Sequence, residues 1–148
     1  MRKRELRAWK KVFESDLPHI AYELKEFVDP PAMIILDGKM GVGKTTFAKA
    51  FVDESTMSPT YSVLTETKDT LHADFYRIRS REEILHLEIP LYLEDKKYFL
   101  VEWGKDFYAQ ILPELPENYG HYLVSIENLE SDEGNEFRNF KLFSVSEE

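Results

Sequence analysis

The chain has 148 residues, 43% of them hydrophobic and 14% aromatic, with a net charge of −9 and no cysteine. That length predicts a single domain over residues 1–148, the apolar content is enough for a core, and the missing cysteines exclude disulfides and thiolate metal sites. The acidic balance argues against an independent grip on nucleic acid, and Arg2, Lys3, Arg4, Arg7, Lys10 and Lys11 read as a solvated basic cluster.

No long apolar run follows Arg2-Lys-Arg4, and Ala32–Leu36 is too short to cross a bilayer. The expectation is therefore a cytoplasmic protein with no leader and no membrane contact.

In chain order, residues 4–13 are ambiguous between strand and helix. Leu17, Ile20, Ala21, Leu24 and Phe27 form one stripe, which predicts a helix over about 17–28 capped at Ser15 or Asp16. Pro30-Pro31 stops it. Ala32–Leu36 is a continuous apolar run of the kind that makes a buried parallel strand. A glycine loop follows, then a helix over about 44–53.

Residues 61–67 and 70–76 read as a hairpin. Ser80 and Glu83 form a capping box ahead of a short helix to about Leu87. Tyr98–Val101 is a second buried strand ending at Glu102-Trp103. A helix over about 105–112 comes next, and strands over 121–127 and 136–145 close the chain around a polar turn with Gly134. Strands alternating with helices define an α/β class: a compact, layered, P-loop NTPase-like fold with a central, mostly parallel sheet flanked by helices.

Gly38-x4-Gly43-Lys44-Thr45 matches the Walker A pattern in full, after a strand and before a helix. Glycines let the main chain curl close to phosphate oxygens, and amides around Gly41, Val42, Gly43, Lys44, Thr45 and Thr46 then form an anion nest at a helix N-terminus. Lys44 supplies a point charge for the β- and γ-phosphates. The Thr45 hydroxyl is a hard oxygen suited to Mg²⁺. Such a loop needs a carboxylate at a neighbouring strand end, and Glu102 after four apolar residues is the candidate.

Between these motifs lie Ser58-Pro-Thr-Tyr61 and His72-Ala-Asp-Phe-Tyr-Arg77. The first is a switch-like element or a plain turn. In the second, alternation places His72, Asp74 and Tyr76 on one face. Asp74 is suited to orient an attacking water or to accept its proton. His72 reads more readily as a hydrogen-bonded structural residue, Arg77 as a surface pair, and Trp103 as either core or stacking.

These blocks, together with Val101-Glu-Trp103, resemble the bacterial tRNA threonylcarbamoyladenosine biosynthesis ATPases, the TsaE or YjeE family. The resemblance covers roughly residues 17–112. It implies weak ATP hydrolysis with Mg²⁺ and action on the TsaD–TsaB complex, which modifies adenosine 37 of tRNAs reading ANN codons, so that tRNA is met only indirectly. It also implies that Lys44, Asp74 and Glu102 are catalytic and that Thr45 and Glu102 serve the metal. Thr60 would belong to a switch loop near the γ-phosphate, and Trp103 would support nucleotide or partner binding. Lys39 and Met40 depart from the family's usual Asp and Leu, and the stretch from Phe47 to Ser58 is shorter than usual.

Two other readings share the Walker A loop: a small-molecule kinase, for which Arg77, Arg79 and Arg81 give thin support as a lid, and a nucleotide-dependent interaction module. The chain lacks an Asn-Lys-x-Asp block, which favours ATP over GTP.

Overall fold

A computed structural model describes residues 1–39, 41–52 and 63–147, with only the main chain of Asn128. Seven strands, β1 (Arg2–Phe13), β2 (Ala32–Asp37), β3 (Leu64–Glu66), β4 (Thr70–Asp74), β5 (Tyr98–Glu102), β6 (Gly120–Asp132) and β7 (Asn135–Ser146), form one sheet in the order β1-β7-β6-β2-β5-β4-β3. β6, β2, β5 and β4 run parallel at its centre, and the outer pairings are antiparallel. The helices are α1 (Leu17–Phe27), α2 (Lys44–Val52), α3 (Arg81–His86), α4 (Pro90–Leu93) and α5 (Tyr108–Ile111).

Layering explains why β2 is apolar from Ala32 to Leu36. Ala32, Ile34 and Leu36 face a core with Leu24 of α1 and Phe47 and Phe51 of α2. Met33 and Ile35 face the opposite core, with Ile84 of α3, Leu93 of α4 and Ile111 of α5. A strand covered on both faces has no polar side to show.

α1 buries Leu17, Ile20, Ala21 and Leu24, the predicted stripe, while Phe27 is 40% exposed. At the start of α3, the Glu83 carboxylate accepts from the amides of Arg79 and Ser80, as the capping box requires.

The ambiguous residues 4–13 belong to a strand. Register shifts between Glu5 and Arg7 and between Trp9 and Val12 interrupt its alternation, and Lys11 has φ +53°. Bulges of this kind erase the two-residue period that identifies a strand. The helix expected over 105–112 is instead broken into a 3-10 turn at Lys105–Phe107, the single turn α5, and a 3-10 turn at Leu112–Glu114. Phe107 leaves helical geometry with φ −109° and ψ 13°, and Pro113 removes an amide from the ladder.

The hairpin at 61–76 has only Leu64–Glu66 as its first described strand. β6 and β7 are longer than expected, and Glu133 and Gly134, both at positive φ, make the tight turn between them. Among the described residues no helix is long and apolar enough to cross a membrane.

Candidate functional site

The site lies where β2, β4 and β5 end. Their parallel register sets Glu102 beside Leu36 on one side and Asp74 on the other. The carboxyl ends of parallel strands are where open α/β sheets present ligand-binding loops. β2 passes there into the glycine loop, and the Phe47 amide donates to the Gly43 carbonyl at 2.9 Å as α2 begins. Gly41 and Gly43 have φ +81° and +112°, conformations that a side chain would strain. A cavity of about 350 Å³ is lined by Gly41, Gly43, Lys44, Thr45, Thr46, Asp74, Tyr76, Glu102, Trp103 and Arg138.

Lys44 is buried. Its Nζ donates to the carbonyls of Gly38 at 2.5 Å and Lys39 at 3.2 Å, and lies 3.6 Å from the centre of the Trp103 ring. Burial pushes its ammonium below the ordinary lysine range, against the opposing charges of Glu102, Asp37 and Asp74. Trp103 holds φ +61°, an arrangement that costs a non-glycine residue roughly 1–2 kcal/mol. It turns the indole back over Lys44, with the Tyr76 ring 5.2 Å away. Trp103 therefore caps the site and is neither a plain core residue nor a free surface ring.

Glu102 is only 3% exposed, and both of its oxygens are engaged. The Thr45 hydroxyl donates to Oε1 at 2.8 Å, and His72 Nε2 meets Oε2 at 2.6 Å. A buried carboxylate needs such partners, and hydrogen bonds to a charged acceptor are the stronger kind. Asp74, one strand over, is exposed and accepts from the Tyr76 amide at 3.0 Å.

Of the residues singled out in the sequence, Gly41, Gly43, Lys44, Thr45, Thr46, Asp74, Glu102 and Trp103 line one cavity. Val42 plays a loop-building role: its amide donates to the Lys39 carbonyl at 3.2 Å, and its side chain is buried. Thr60 and the rest of Ser58–Tyr61 lie outside the described residues. Arg77, Arg79 and Arg81 do not line the cavity.

Sequence reasoning missed Arg138. It reaches in from β7, its Nε donates to the Val42 carbonyl, and its guanidinium packs on Gly43. The available signal was alternation: Arg138 shares a strand face with buried Phe140 and Leu142, so a charged group there points toward the layer holding the loop.

The donor chemistry fits a magnesium nucleotide. Thr45 and Glu102 offer hard oxygens side by side, and Lys44 stands at the loop that faces them. Strand, glycine loop, helix and acidic strand end together define a P-loop NTPase-like protein.

The comparisons narrow that class. A family model described as threonylcarbamoyl adenosine biosynthesis protein TsaE matches residues 13–136. The tRNA threonylcarbamoyladenosine biosynthesis protein TsaE of Bacillus subtilis (strain 168) is 32% identical over 105 residues, covering 65% of this chain and 65% of that protein. Its counterpart in Rickettsia conorii is 30% identical over 129 residues, covering 80% of this chain and 70% of the other. The chain therefore spans about two thirds of the length of these relatives. The crystal structure of Bacillus subtilis YdiB superposes with a TM-score of 0.60 at 22% identity, over 99% of this chain and 89% of that one. This chain belongs to the TsaE family.

Proposed function

We propose that this protein is a magnesium-dependent ATPase that supports threonylcarbamoyl modification of adenosine 37 in tRNA by acting on the TsaD–TsaB complex. On this reading it works in the cytoplasm and meets tRNA only through that complex. The observation that carries the reading is the 2.8 Å bond from the Thr45 hydroxyl to buried Glu102, set beside the Lys44 loop. Family membership supplies the pathway.

In this scheme the loop amides and Lys44 bind the β- and γ-phosphates. The Thr45 hydroxyl keeps its proton and donates it to Glu102 Oε1, which leaves its lone pairs as the oxygen that would hold the metal. Magnesium, when bound, neutralises charge that develops on the phosphate oxygens. Asp74, exposed at the cavity wall, orients the attacking water and takes its proton. Trp103 and Tyr76 cover the cavity and exclude bulk water.

The test is ATP hydrolysis with Mg²⁺, measured with and without purified TsaD–TsaB. Stimulation by the complex is expected. Hydrolysis that ignores the complex overturns the pathway role and redirects the search to small-molecule acceptors. Absent hydrolysis with intact nucleotide binding favours an interaction module.

A further inference from the structure

Among the described residues, two buried polar atoms beside the site have no hydrogen-bond partner: Thr65 Oγ1 and His72 Nδ1. Thr65 is 7% exposed and His72 5%. Orphaned buried groups of this kind are rare in folded proteins and call for an explanation. Their positions supply one. Thr65 on β3 and His72 on β4 are direct cross-strand partners. Main-chain bonds close the ladder on either side, from the Asp74 amide to Val63 and from the Thr67 amide to Thr70, which makes the 65–72 pair a hydrogen-bonded one with side chains on the same face. That face is the one turned to the P-loop, since Leu71 and Ala73 fill the opposite core.

The other end of the imidazole is already committed. His72 Nε2 lies 2.6 Å from Glu102 Oε2, and an ionised carboxylate only accepts, so Nε2 carries the proton. Nδ1 is then an acceptor, and Thr65, its direct cross-strand neighbour on the same face, carries a hydroxyl that can donate. We propose that Thr65, His72, Glu102 and Thr45 form a continuous buried relay, in which the Thr65 hydroxyl fixes the His72 tautomer and His72 fixes the Glu102 carboxylate for its work at the metal. Thr65 and His72 are positioning residues: neither lines the cavity. The relay deepens the proposed reading and depends on it only for the metal at Glu102.

Two measurements separate the relay from that reading. The first is the side-chain ¹⁵N spectrum of the histidines in the protein without nucleotide. His72 should show the Nε2–H tautomer, and Thr65→Val, which keeps shape but loses the hydroxyl, should shift its Nδ1 resonance. An unmoved Nδ1 resonance overturns the Thr65 link.

The second is the Mg²⁺ concentration that half-saturates the nucleotide-induced change in Trp fluorescence. Loss of a group that orients a metal ligand typically weakens metal affinity about 10–100-fold. His72→Phe should raise the half-saturating Mg²⁺ by about tenfold or more. His72→Gln, whose amide reaches the Nε2 position, should recover most of the loss. Nucleotide affinity without Mg²⁺ should stay level in both.

If Glu102→Gln raises the Mg²⁺ requirement while His72→Phe and His72→Gln do not, the positioning role is refuted. If Glu102→Gln also leaves it unchanged, the metal assignment of Glu102 fails, and the role claimed for His72 at the metal fails with it; the Nδ1 resonance separately decides the Thr65 link.

Discussion

The ends of β4 and β5 carry two carboxylates side by side in the same register, yet in opposite surroundings. Glu102 is sealed, with a threonine hydroxyl on one oxygen and a histidine on the other. Asp74 stands exposed and accepts from the amide of Tyr76. The difference teaches that a strand end alone does not assign a role. Enclosure and fixed partners suit an acid that holds its place, whereas an open acid is within reach of water.

The sharpest way to break this contrast is to change each acid separately. Asp74→Ala should lower ATP hydrolysis about 10²–10⁴-fold, the usual scale for losing a general base, with nucleotide binding little changed. Unaltered turnover would return Asp74 to the surface. Lys44→Ala should weaken ATP binding by about 1.5–3 kcal/mol, the scale of a lost charged hydrogen bond, read by titration calorimetry. Equal affinity in the variant removes the phosphate loop from the site. Glu102→Gln should leave Mg²⁺-free nucleotide binding intact while raising the Mg²⁺ requirement about 10–100-fold, visible as hydrolysis lost at limiting metal and restored at high metal.

The far flank supplies the smallest effect and a control. His121 on β6 lies against Tyr108, with the hydroxyl 3.1 Å from Nδ1, and burial depresses its pKa below the ordinary histidine value. Below about pH 6.5 the unfolded chain then takes up a proton that the fold resists, so stability is full above that pH and falls as the pH drops through the folded value. Melting temperatures from pH 7.5 down to 5 should decline less steeply for His121→Gln than for the native protein. Parallel curves would show that the burial carries no linkage.

Legibility followed the range over which each feature is encoded. β2, the glycine loop, α2 and β5 are written in consecutive residues, and Lys44, Thr45 and Glu102 were read from them directly. The Glu102 partner His72 was recognised as hydrogen-bonded, but its partner was not, because the bond depends on how β4 sits against β5. Arg138 was illegible for the same reason, since its target is a carbonyl 96 residues away, reached only through the β6–β7 hairpin. β1 hid behind its two bulges, and α4 is a single turn too short to show a period.

β1 ends the sheet, so among the described residues one side of a 12-residue strand has no neighbouring strand. Open strand edges invite another chain to continue the ladder. Along this one stand Arg2, Lys3, Arg4, Arg7, Lys10 and Lys11, with two bulges that twist the line of amides. Basic side chains and bulges are the features by which sheet proteins blunt such an edge.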